Sequence, residues 1–538
     1  KMLFNSYFFI FLFLPLVLCL VFYFSSKGNA NLAATMLVIS SLFFYSWWNP
    51  VYLPLIICSI LFNFWLAKLI YKNKLILFFG LAFNLGLIAY FKYANFFVEN
   101  INLLFQDSLY IQEIILPLAI SFFTFQQIAY LVDAYRGQAE KYSFLHYSLF
   151  VTFFPQLIAG PIVHHKEIMP QFLRKQFLLP SYRNCVLGLS LFALGLFKKI
   201  IFADSMSVYA SATFDAAEAG VSLTIFEAWL GSLAYSMQLY FDFSGYSDMA
   251  LGLATMFGLK LPVNFFSPYK ATNIADFWRR WHITLSRMIR AYLWDPISLS
   301  MTRTAVKSRY GFARFFIATS LIPTLFTFFW IGLWHGAGWN FIIFGLLHGL
   351  YITIFNLWTQ LKQRYLKDNI ISNRAIGNFF ARFLTFLCVV FGWIFFRAET
   401  LPGAKNIISS MIGLNGISLS PRIQGFIEKL GFIEKLKDGV VVFEGMSTNG
   451  VLGNEPFKAV ISIMFLIVFC FMMPNCIQIF SKYQPYILTY TSNGAKNTLF
   501  SKSLRWRPIP IWIFISSMAF VFAIINLVQE SEFLYFQF

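Results

Sequence analysis

The sequence predicts an all-α protein that crosses a membrane many times, and three observations predict it. Hydrophobic residues make up 59% of the chain and charged ones only 12%, against the near-quarter charge of soluble domains. Apolar runs of roughly 20 residues, the length that crosses a hydrocarbon core, recur from residues 3–24 to 511–528. The runs are continuous instead of alternating, and lipid offers no partner to an open strand edge, so each is expected to be helical. About twelve to fourteen such segments are countable by that length, some too short or too broken to span. Run 3–24 is longer than the apolar region of a secretion leader and lacks a small-residue cleavage site, so it reads as the first membrane segment.

Charge supports the same class. The net charge of +18 sits in short joints between apolar runs, at residues 68–74, 166–175, 198–199, 279–314, 362–382 and 502–507. That pattern fixes orientation in a bilayer and excludes nucleic acid as the partner. The positive-inside rule puts most joints in the cytoplasm, and a last span then leads the tail 529–538 to the outer side. Six cysteines show no CxxC spacing, which excludes a disulfide framework or a cysteine metal site. The chain reads as one membrane domain, 1–538: N-terminal helices at 1–140, a motif-bearing core at 141–360 and C-terminal helices at 361–538. A polar loop at 413–458 carries a tandem FIEKL and is expected at the interface.

Ionisable groups inside membrane segments are costly and usually face a cavity or a partner, so they are the first site candidates. Here they gather between Gln238 and His348. Asp242 and Asp248 flank Ser244 and Gly245, a pattern expected to break or re-enter a helix, with Ser244 or Asp248 capping a second helix at 249–259. In ADFWRRWHITLS, residues 275–286, a continuous helix would put Arg280, Arg287 and Arg290 on one broad face and His282 on another with Trp278. The arginines, Arg279 among them, suit lipid phosphate or the diphosphate of a carrier. His335, between Trp334 and Gly336, sits where a helix is expected to stop. His348 lies on nearly the opposite face of any helix continued from it, so a shared metal would need a break there. There is no HExxH, and no metal is expected. A neutral imidazole in an apolar tunnel keeps the lone pair that a general base needs. The pair His164-His165, beside a basic joint, is read as structural.

QLIAGPI at 156–162, YFDFSGYSDMALGL at 240–253, FWRRWHITLS at 277–286 and LWHGAGWNF at 333–341 occur in an order that resembles the membrane-bound O-acyltransferase family. More narrowly, they resemble its bacterial branch of alginate and peptidoglycan O-acetyltransferases. The resemblance implies a ring of tilted helices around a thinned centre with a through-tunnel. It implies His335 as the catalytic histidine and His282 as the second important one, with Asp242, Ser244, Asp248, Trp278, Trp281, Trp334, Asn340 and His348 lining the path. It implies no bound cofactor and a thioester donor, acetyl-coenzyme A or an acyl carrier, on the cytoplasmic face of a bacterial inner membrane. It further implies a polysaccharide acceptor, an extracytoplasmic partner acetyltransferase and an acyl relay at Tyr535 in the tail. A transporter of a polysaccharide precursor or lipid, with the same polar residues along its path, is the alternative.

Overall fold

The computed structural model describes residues 2–105, 110, 114–140, 142–174, 177–365, 374–418, 441–442, 451–452, 456–488, 503–527 and 531–534. The tandem FIEKL, most of the polar loop and Tyr535 lie outside the described residues.

Most of the described chain is helical. In chain order come α1 (Phe9–Ser26), α2 (Ala30–Ser46), α3 (Leu53–Leu69), α4 (Lys74–Phe105), α5 (Ile120–Tyr135), α6 (Phe144–Thr152), α7 (His165–Phe172), α8 (Tyr182–Glu218) and α9 (Ile225–Met256). After α10 (Ile274–Trp278) and α11 (residues 283–307) come α12 (Phe312–His335), α13 (Trp339–Tyr365), α14 (Arg374–Arg397), α15 (Leu401–Met411), α16 (Pro456–Met472) and α17 (Pro510–Ile525). Among the described residues, 7 helices are long and apolar enough to cross a membrane, and α2, α16 and α17 are shorter apolar ones. These are fewer than the apolar runs suggest, because several runs form short helices packed inside the protein, α6 among them. The only extended pairings described are two-residue parallel ladders, β1 (Leu261–Pro262) with β4 (Tyr486–Ile487) and β2 (Ile417–Ser418) with β3 (Val441–Val442).

Helix α9 is the pillar of the fold. It starts on a capping box in which the Thr224 hydroxyl accepts the Glu227 N–H and the Glu227 carboxylate accepts the Thr224 N–H. It ends at Gly258, whose φ of 78° favours glycine. From Ala234 to Met256 every residue is buried. The break expected around Ser244-Gly245 does not occur, and no second helix is capped by Ser244 or Asp248. Gly245 serves packing instead. A Cβ on Gly245 would lie 2.8 Å from the Gly195 carbonyl of α8, and one on Gly252 2.6 Å from that of Gly188. Without water to drive helices together, such glycine contacts let two backbones approach closely in a membrane.

A second correction concerns residues 198–199. They form no loop: Lys198 and Lys199 lie in the middle of α8, at a π-helical turn over Lys198–Ala203. Lys198 pairs with Asp248 at 2.6 Å and Lys199 with Asp242 at 2.6 Å. Their acidic partners one helix away make interior placement tolerable, which charge counting along the chain does not reveal.

The α8–α9 contact gives a stability prediction. Gly195→Leu or Gly245→Leu forces the helices apart and costs about 1–3 kcal/mol, read as a lower melting temperature in lipid or detergent. Gly86→Ala, which meets nothing within 4 Å, does not lower the melt, since alanine is the better helix former.

Candidate active site

Both candidate histidines sit at interruptions of helix. α12 ends at His335, residues 336–338 are non-helical, and α13 begins at Trp339. Gly336 allows this because Phe341 of α13 folds back over it and leaves no room for a side chain. The arginine-rich segment breaks too. α10 stops at Trp278 and α11 restarts after His282, which has the left-handed dihedrals φ 43° and ψ 54°. The single-helix face expected for Arg280, Arg287 and Arg290 is therefore absent.

The turn at His282 is held by a second strand of chain. The Phe266 N–H donates to the Arg280 carbonyl at 3.0 Å and the Ile283 N–H to the Asn264 carbonyl at 2.9 Å. The Asn264 side-chain oxygen lies 3.0 Å from His282 Nδ1 and accepts from the Thr284 hydroxyl at 2.9 Å and the Thr284 N–H at 3.4 Å. Because a backbone N–H can only donate, the Asn264 atom facing it is the oxygen, and His282 Nδ1 must then carry a proton. In the neutral ring, Nε2 is the nitrogen with the lone pair.

Aromatic rings bring the histidines together. The Trp334 ring lies 4.8 Å from His335 and 6.1 Å from His282. Phe344 lies 5.9 Å from His335 and 4.7 Å from His348. His348 accepts at Nδ1 from the Trp278 indole at 3.2 Å, and Trp281 packs on Trp393 at 4.8 Å. His335 is 5% exposed and His282 and His348 not at all. Asn340 instead ties α13 to the end of α14 through the Ala398 carbonyl at 2.8 Å.

The other predicted lining residues fall elsewhere. Asp242, Ser244 and Asp248 face Lys198 and Lys199 of α8, whereas Phe243, one residue on, packs on His282 at 4.9 Å. The arginines divide. Arg280 pairs with Asp276 at 3.0 Å, and exposed Arg279 bonds only its own helix among the described contacts. Arg287, paired with Glu167 at 2.5 Å, and Arg290, 3.5 Å from Asp295, border a cavity of about 420 Å³ together with both acids, His164, Lys166 and Thr284. Thr284 lines this cavity of mixed charge and bonds Asn264, the partner of His282.

His164 and His165 meet Asp133, with ring nitrogens 3.2 and 3.0 Å from its Oδ2. Their ligand atoms and the carboxylate lie within 4.8 Å of one another. The Lys166 ammonium takes the same oxygen at 3.2 Å, and His164 Nδ1 accepts the Lys166 N–H at 3.3 Å, so its Nε2 bears the proton. That donor set fits an ion-pair network better than a cation.

Sequence reasoning passed over Asn264, Thr284 and Lys92. Lys92, in a π-helical turn of α4 over Ala89–Tyr93, donates to the Trp334 carbonyl, and the Tyr93 hydroxyl donates to the Leu333 carbonyl at 2.8 Å. A cation at the C-terminal end of α12 meets the negative end of its dipole. The signal was available, because Lys92 is a charge inside an apolar run.

Residues 105–395 match the MBOAT, membrane-bound O-acyltransferase family. The chain is 40% identical over 501 residues to the peptidoglycan O-acetyltransferase of Helicobacter pylori, covering 87% of this chain and 89% of that protein. It is 37% identical over 433 residues to the probable alginate O-acetylase AlgI of Pseudomonas aeruginosa, covering 78% and 76%. The teichoic acid D-alanyltransferase of Bacillus subtilis is 30% identical over 285 residues, covering 52% and 69%.

Lys92→Met keeps the side-chain length and removes the donor. Amide exchange at residues 335–339 rises about tenfold, the worth of one charge-assisted hydrogen bond; unchanged exchange would mean that Lys92 does not hold the bend.

Proposed function

The chain belongs to the membrane-bound O-acyltransferase family, and from that premise we propose that it carries acetyl groups from a cytoplasmic thioester to an acceptor hydroxyl at the outer face of a bacterial inner membrane. The protein is a multi-pass membrane acyltransferase. The observation that supports the finer reading is the meeting of His335 and His282 on Trp334, in the interior, near a cavity bordered by Arg287, Arg290 and Lys166 as well as Glu167 and Asp295.

The chemistry follows from neutral rings. One nitrogen of His335 takes the proton of a hydroxyl while the hydroxyl oxygen attacks the thioester carbonyl. The carbon–sulfur bond then breaks, and the imidazolium returns the proton to the leaving thiolate. His282, with Nδ1–H committed to Asn264, presents Nε2 as an acceptor and orients the attacking hydroxyl. Arg287, Arg290 and Lys166 border a space of the size that holds a small ligand arm, and they suit the phosphates of the donor. Thr284 lines the cavity in this conformation, and the thioester reaches the rings when the Thr284 side chain parts from Ile162, whose N–H it accepts at 3.0 Å.

Moving only an acyl group across the bilayer spares the transport of a charged carrier. The first acceptor in this reading is the phenol of Tyr535, from which an outer-face partner acetyltransferase passes the group to a polysaccharide. A phenol (pKa ~10) lies closer in leaving ability to a thiol (~8.5) than a sugar hydroxyl does, so the exchange is near balance. The curated relatives act on peptidoglycan and on alginate by name, which supports a wall or exopolysaccharide acceptor.

Purified protein in lipid, given a labelled acetyl thioester, releases free thiol and retains label. His335→Ala lowers thiol release by about 10²–10⁴, the usual worth of a general base, and Tyr535→Phe abolishes label retention. Thiol release undiminished in His335→Ala would remove this histidine from the chemistry.

A further inference from the structure

The segment 531–534, with Glu532 exposed and Ser531 half-buried, inserts Phe533 and Leu534 at a charged slot that none of the chemistry above uses. Phe533 is 1% and Leu534 7% exposed. The Lys199 ammonium bonds Asp242 at 2.6 Å, Asp204 at 2.9 Å and the Glu532 carbonyl at 3.2 Å. Asp242 Oδ2 accepts the Leu534 N–H at 2.9 Å, and Asp204 Oδ2 accepts the Ser531 hydroxyl at 2.6 Å. Asn5 near the other end of the chain donates to the Ser531 carbonyl at 3.0 Å. Phe533 stands edge-on to Tyr246 of α9 at 4.6 Å and lies 4.8 Å from the Lys199 ammonium.

The charges explain why the tail belongs there. One ammonium faces two carboxylates, Asp242 buried and Asp204 partly exposed, so the lysine alone does not complete both acids. Each carboxylate turns one oxygen to the lysine and its other to the tail, and the donors that complete them are the Leu534 N–H and the Ser531 hydroxyl. A carboxylate stripped of such a donor bears the full desolvation cost. Tail removal would therefore leave Asp242 and Asp204 each one donor short. Asp242 grips the tail from one face of α9 while the next residue, Phe243, packs on His282 from another.

We infer that Lys199, Asp242 and Asp204 are positioning residues that seat residues 531–534 between α8 and α9 and so fix where the tail starts from. This rests on the reading of Tyr535, the residue after Leu534, as the acyl carrier. The sequence gives no reason to connect a lysine of α8 with a tail more than three hundred residues away.

The test uses the full chain in lipid nanodiscs, with amide exchange read at residues 531–534 and polymer acetylation read in cells. Asp242→Asn weakens the slot. Ser531→Ala and Phe533→Ala weaken it from the tail side and leave the buried ion pairs intact, so they report even if the core variant folds poorly. Exchange at 531–534 is expected to rise at least about tenfold for the loss of a buried hydrogen bond to charge, while α8 and α9 stay protected and acetylation falls in the order in which exchange rises. Unchanged exchange in all three overturns the seat. Raised exchange with undiminished acetylation overturns the positioning role. Tyr535→Phe separates the two readings: it leaves 531–534 protected, and transfer that survives it overturns the relay and the positioning role with it.

Discussion

In hydrocarbon a backbone N–H or C=O without a partner costs several kcal/mol, so non-helical chain at membrane depth survives only where protein encloses it. That constraint places the site. The breaks at 279–282 and 336–338 each adjoin a buried histidine, and each is tied down by chain from elsewhere. At His282 the support is Asn264, whose carbonyl and side chain together hold a left-handed residue that would otherwise cost about 1–3 kcal/mol. At His335 it is Lys92 and Tyr93, which take the last carbonyls of α12. The helices are the walls, and the chemistry falls to the few residues where they stop.

The same constraint governs charge. Three of the π-helical turns carry basic residues, Lys92, Lys198 with Lys199, and Arg290. Each widened turn displaces a side chain from the helix's ordinary faces, and such turns recur at functional sites. Lys198 and Lys199 answer the acids of α9, Lys92 answers a helix end, and Arg290 borders the cavity beside Asp295. α9 thus separates two neighbourhoods: an ionic one that receives the tail, and an aromatic one around the histidines.

The class of protein was legible from apolar runs, because a span needs little more than length. His335 and its bend were legible because Gly336 and Gly338 follow a lone titratable ring. Gly245 misled for a physical reason: glycine serves a bend and a close helix contact equally well, and which one depends on the partner, here Gly195. The arginine face failed because the pattern of 275–286 fits one helix locally, and only the distant Asn264 imposes the turn. Asn264 and Thr284 are ordinary polar residues in sequence and acquire meaning where Asn264 bonds both His282 and Thr284. Lys199 looked like a joint because its partners, Asp242 and the tail, are remote in the chain.

The proposed chemistry requires access of a thioester to the two rings. A structure with a ketone analogue of the acetyl thioester bound measures this most directly. The carbonyl is expected within direct or one-water hydrogen-bond reach of His335, about 3–5 Å, with the donor's phosphates on Arg287 and Arg290 and the Thr284 side chain turned away from Ile162. A carbonyl lodged on the outer side of Thr284, with both rings still enclosed by Trp334 and Phe344, would contradict it.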